Sequence, residues 1–74
     1  MKLEELAAVN DLLKRSFPDE VLLDIFERGG EFIILCRDYN NPYPYAIHHC
    51  NSNGIYYDHY YEDAWSAGSD FYVL

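Results

Sequence analysis

Apolar and polar positions change their period along the chain, and each change predicts an element. Over residues 2–15, Leu3, Leu6, Ala7 and Leu13 recur near helical spacing, with Val9 and Leu12 flanking them. Glu4 and Glu5 open this predicted helix and Lys14 and Arg15 close it, which suits the macrodipole at both ends. Residues 16–20, SFPDE, read as a second helix start: Ser16 and Asp19 have capping-box-like spacing and Pro18 falls in the first turn. Residues 21–28, VLLDIFER, fit two readings. Followed by Gly29-Gly30, they can be a strand entering a hairpin. As a helix, they gather Val21, Leu22, Ile25 and Phe26 on one side and Glu20, Asp24 and Glu27 on the other, with Gly29 as the residue after the C-cap. Helix is the preferred reading.

From residue 31 the pattern turns to strands. EFIILCRD (31–38) is nearly continuously apolar at its centre, as a strand covered on both sides would be. Residues 38–42 turn the chain, and Pro42 and Pro44 keep the next segment extended. YAIHHCN (45–51) and IYYDHYY (55–61) flank Asn51-Ser52-Asn53-Gly54, and Asn-Gly is a strong hairpin signal. The tail is a helix from about Asp63, with Ala64, Ala67, Gly68 and Phe71 on one face. The expected fold is α+β: two N-terminal helices, a three-stranded antiparallel meander and a C-terminal helix, in a single domain over 1–74. With its helices on one face, such a sheet leaves the other face for a partner.

Composition narrows the function. Thirteen acidic residues against five basic ones give a net charge of −8. Phosphates would meet like charge, which disfavours direct binding to nucleic acid or to an anionic membrane and favours a basic protein partner. No lysine or arginine follows Arg37, so Asp58, Glu62, Asp63 and Asp70 have no cation near them in sequence. The first residues lack the basic start and apolar core of a signal peptide, and no run is long enough to span a membrane. Two cysteines are too few for a disulfide scaffold. A cytoplasmic protein is expected.

The segment from Tyr39 to Tyr61 concentrates the candidate chemistry. With Asn53-Gly54 as a two-residue turn, His48 faces His59, Cys50 faces Tyr57 and Ala46 faces Tyr61. If Cys36 points the same way, Cys36, His48, Cys50 and His59 assemble zinc-type ligands. No paired cysteine knuckle supports that set, and buried cysteines and histidines are the ordinary alternative, so no metal or other cofactor is expected. No phosphate loop, nucleophile elbow or H-E-x-x-H helix is present, and the protein is read as non-enzymatic. The same register places Tyr56, Asp58 and Tyr60 in one row on the opposite face, a candidate surface because tyrosine is enriched at interfaces. A tyrosine-rich sheet face forming a homodimer is the alternative function.

The acids supply the sharper hypothesis. Carboxylates at i, i+2 on a strand or i, i+4 on a helix lie roughly 6–7 Å apart, close to successive phosphates along a nucleic-acid strand. Glu20, Asp24 and Glu27, or Asp58, Glu62, Asp63 and Asp70, would then imitate a phosphate track. The tail GIYYDHYYEDAWSAGSDF resembles the strand, aromatic-acidic junction and Ala-containing helix that end some small bacterial and phage proteins. In length, acidity and layout the chain is similar to mobile-element inhibitors of the anti-CRISPR type. That resemblance implies a cofactor-free binding protein that blocks the nucleic-acid surface of a nuclease or another nucleic-acid-binding protein.

Overall fold

The computed structural model describes residues 2–74. Its elements are α1 (Leu3–Ser16), β1 (Val21–Arg28), β2 (Glu31–Arg37), β3 (Tyr45–Asn51), β4 (Gly54–Tyr61) and α2 (Ala64–Phe71). The four strands form one antiparallel sheet in the order β1-β2-β3-β4. The α+β class stands as expected. The second N-terminal helix and the three-stranded sheet do not: residues 21–28 are a strand and the sheet has four.

Two local features decide that correction. Gly29 and Gly30 both have positive φ, 62° and 82°. Two consecutive residues of that kind make the hairpin turn whose twist suits antiparallel strands, whereas a helix C-terminus needs one. The second feature is a bulge. Leu22 pairs with Cys36 and Asp24 with Leu35, leaving Leu23 as an extra residue. The extra residue puts Leu22 and Ile25 on the same face, three positions apart, and so imitates helical spacing. The supposed helix start at 16–20 is instead a β-turn over Phe17-Pro18-Asp19-Glu20, closed by the Glu20 N–H donating to the Phe17 carbonyl at 3.0 Å. Pro18 takes the second position, where its fixed φ fits as well as it would in a helix.

The helices lie on opposite faces of the sheet, not on one. On the first face, Val9 and Leu13 of α1 pack on Ile34, Cys36 and Cys50, with Leu22, Ile25, Phe32 and Ile55 around them. The inward line of α1 runs through Val9 and Leu13, and Leu3 and Ala7 point to solvent. On the second face, Ala67 and Phe71 of α2 pack on Ile33, Ile47 and Tyr61, joined by Phe26, Leu35 and Tyr45. The Asp63 side chain caps α2 by accepting the Ser66 N–H at 2.7 Å. Of the four residues expected on the inner face of this helix, Ala67 and Phe71 are buried; Ala64 and Gly68 are exposed. Alternate residues of β2 and β3 therefore enter two separate cores, which is why β2 reads as a nearly continuous apolar run.

The β3–β4 register also departs from expectation. The hairpin turns at Ser52-Asn53, with Asn51 opposite Gly54 and the Asn51 Oδ1 accepting the Asn53 N–H at 2.8 Å. Tyr56 is then an extra residue between the Cys50–Ile55 and His49–Tyr57 pairs. A two-residue shift from the turn and one back from the bulge leave a net change of one. His48 consequently faces Asp58 and not His59, which pairs with Ile47.

Candidate functional site

That one-residue change builds the most unusual constellation in the molecule. His48, at the centre of β3, is 0% exposed and sits under α1. Its Nε2 lies 2.6 Å from Glu20 Oε1 and its Nδ1 lies 2.6 Å from Asp58 Oδ1. Glu20 arrives from the end of the Pro18 turn and is itself buried, whereas Asp58, on the edge strand β4, reaches solvent. Phe17 stacks over the imidazole at 4.7 Å with the planes 13° apart, and the Tyr60 ring meets it edge-on at 6.0 Å. The Tyr60 hydroxyl donates to Glu20 Oε2 at 3.3 Å.

Two carboxylates facing both ring nitrogens call for two N–H donors, and only the imidazolium supplies them. Burial opposes a charge on His48. The Glu20 and Asp58 carboxylates outweigh it and hold the pKa above the ordinary histidine value. Tyr60 is pushed up to about 12 by burial and by the Glu20 charge. Burial, then Glu20, raises the Cys36 thiol far above its usual range. Cys36 also belongs to the cluster: one ligand-type atom each from Glu20, Cys36 and His48 lie within 4.8 Å of one another, all three residues buried.

The residues singled out by sequence separate into three groups. Glu20, Asp58 and Tyr60, expected on interaction surfaces, join Cys36 and His48 around one buried point. Cys50 lies in the α1 core, its thiol raised by burial. His59 is on the other side of the sheet, its ring 4.6 Å from that of Tyr61, so the expected set of Cys36, His48, Cys50 and His59 does not assemble. The remaining acids scatter. Asp24 accepts from the Tyr72 hydroxyl at 3.3 Å on the α2 side, Asp70 accepts from the Tyr61 hydroxyl at 3.0 Å, and Asp63 is a cap. Glu27 and Glu62 are exposed. Glu20, Asp24 and Glu27 form no stripe, because Glu20 and Asp24 enter opposite faces of the sheet. Tyr56 is an exposed bulge residue set edge-on to His49 at 6.0 Å, so Tyr56, Asp58 and Tyr60 are not one row.

Beside the cluster, an open cavity of about 190 Å³ is lined by Phe17, Asp19, Glu20, Asp38, Asn41 and Tyr60 among others, with three carboxylates and no base. Among the described residues, no carboxylate lies within 4.0 Å of a lysine or arginine nitrogen; the two ion pairs found both belong to His48. No helix is long and apolar enough to cross a membrane. Sequence reasoning grouped Cys36 with His48 as candidate ligands and placed Glu20 and Asp58 in two acidic sets, and never joined the four. The link was carried by the register of β4 and by the strand character of residues 21–28. No protein-family model, curated protein or solved structure matches the chain.

Proposed function

We propose that this protein is a binding protein that captures a basic partner. In the manner of a small mobile-element inhibitor, it covers the nucleic-acid-binding surface of an enzyme such as a nuclease. The observation that supports this reading is acidity that no lysine or arginine offsets by direct pairing. A net charge of −8 is carried on carboxylates none of which, among the described residues, pairs with a lysine or arginine. Such a surface attracts cationic proteins at long range and repels phosphates. The cavity flanked by Asp19, Asp38, Phe17 and Tyr60 offers one partner side chain carboxylates for its charge and aromatic rings for its stem.

The test compares two charge-neutralised forms by capture from bacterial lysate at low and high salt. Asp19→Asn with Asp38→Asn removes two charges beside the cavity, and Asn at 38 keeps the acceptor that Asp38 Oδ1 provides to the Asn40 N–H. Glu4→Gln with Asp11→Asn removes the same number from α1. The expected result is salt-sensitive retention of a basic protein, weakened by the first pair and kept by the second, with the captured protein losing its own nucleic-acid binding. Retention indifferent to salt and to Asp19 and Asp38 would overturn the reading. Charge reversal at Asp58 or Asp63 is unsuitable, because these two hold the cluster and cap α2.

A further inference from the structure

The buried cluster carries a chemistry that does not depend on any basic partner. We propose that Glu20, Cys36 and His48 are the protein ligands of a zinc-type metal site, with Asp58 and Tyr60 as its outer shell. A carboxylate, a thiolate and an imidazole are the ligand types of zinc, and three protein ligands leave a fourth position open. The three residues come from three separate parts of the chain, the Pro18 turn, β2 and β3, and all are buried, with their ligand-type atoms within 4.8 Å.

The outer shell is the independent observation. A histidine that binds metal through one nitrogen ordinarily donates its other N–H to a carboxylate. Asp58 Oδ1, 2.6 Å from Nδ1, takes that N–H and leaves Nε2 to Glu20 Oε1, also at 2.6 Å. A ligating carboxylate is in turn held by hydrogen bonding, and the Tyr60 hydroxyl does this at Glu20 Oε2, leaving Oε1 free to ligate.

In the metal-free protein the proton between Nε2 and Oε1 stands where the ion would bind. Tetrahedral N and O ligands at ordinary zinc distances lie about 3.3 Å apart, so the observed 2.6 Å must open by less than about 1 Å. Glu20 follows directly on the Pro18-Asp19 turn and is the ligand most free to withdraw. The exchange balances: a divalent ion enters, the imidazolium loses its Nε2 proton, the Cys36 thiol loses its proton, and two protons leave. The open cavity lined by Glu20 and Tyr60 gives an ion its path to the cluster.

The experiment uses the full chain stripped with chelator and titrated with Co²⁺, then Zn²⁺. The expected result is one ion per chain, a thiolate-to-cobalt charge-transfer band that zinc abolishes, and release of two protons measured calorimetrically in buffers of different ionisation enthalpy. Cys36→Ser should abolish the band, with circular dichroism unchanged. Asp58→Asn should weaken zinc binding by about 10–100-fold. Cys50→Ser and His59→Gln should leave binding unchanged. Absence of the charge-transfer band in the wild type would overturn the site, as would equal binding by Asp58→Asn, or loss of the band in Cys50→Ser but not in Cys36→Ser. Should Cys36→Ser fail to fold, the band itself and the contrast between Asp58→Asn and His59→Gln decide.

Discussion

β2 and β3 pair through the middle of the sheet without a register shift, whereas β1 and β4, at its two edges, each carry one extra residue. The central strands bury side chains on both faces. The edge strands leave their extra residues, Leu23 and Tyr56, 44% and 52% exposed. A strand locked between two neighbours and two cores has no room for an unpaired residue. A strand with one free edge does, and the kink there also discourages pairing with another chain. The lesson concerns where chemistry can be placed. The cluster is centred on His48 in a regular central strand, but Asp58 and Tyr60 reach it only because an irregular edge strand is offset by one residue.

Deletions break the comparison most sharply. Removing Ile34 from β2 would flip every later residue of that strand to the wrong face, and no folded protein should be seen by circular dichroism. Removing Leu23 deletes only the unpaired residue and keeps every pairing of β1. That variant should fold and melt within about 8 °C of the wild type, the shift expected for about 1 kcal/mol in a chain this small. Unfolding of the Leu23 deletion would show that the bulge is needed for the fold.

Point substitutions come next. Glu20→Ala strips one partner from a buried imidazolium and should cost about 3 kcal/mol in urea denaturation, a large part of the total for a small domain. Ile47→Ala, at a fully buried central position, should cost about 2–4 kcal/mol. A small loss at Glu20 beside a full loss at Ile47 would show that the buried ion pair contributes little to stability.

The pH dependence is a smaller effect. The folded-state pKa of His48 is raised, so the stability it contributes is fully present below the unfolded value of about 6.5. It fades as pH rises through the raised folded value. Chelator-treated protein should therefore lose stability between neutral and alkaline pH, and His48→Gln should flatten that loss. At the other end, the Asp63 carboxylate is held low, chiefly by its hydrogen bond from the Ser66 backbone. Its contribution is present above the unfolded carboxylate value and is lost as pH falls through the lowered folded one. Asp63→Ala should lower the melting temperature at pH 7 but hardly at pH 2.

What was legible in the sequence follows the same division. EFIILCR read correctly as a covered strand, because its apolar residues fall on both faces, and YAIHHCN read correctly as a strand from the turn signal that follows it. The helix at Leu3–Ser16 was visible in charge placement and periodicity, and the start of α2 near Asp63 in periodicity, although the capping role of Asp63 was not. VLLDIFER misleads because a bulged strand repeats its inward face at i, i+3, the spacing of a helix. The β4 partners mislead because Asn51 and Asn53 each provide turn chemistry, and Asn53-Gly54 carries the stronger two-residue signal although the chain turns one residue earlier. Glu20 could not be assigned to His48 from sequence, since its direction depends on the first error and the partner of His48 on the second.

Trp65 stands on the outer side of α2, 85% exposed, and is the only tryptophan in the chain. Its indole is already in water in the folded state, so its emission should scarcely shift when the chain unfolds; the tyrosines and circular dichroism must report that transition. The same position makes it a natural fluorescent label. A blue shift on adding a second protein would mark contact at α2, whereas occupation of the cavity beside Tyr60, on the opposite face of the sheet, would leave its colour unchanged.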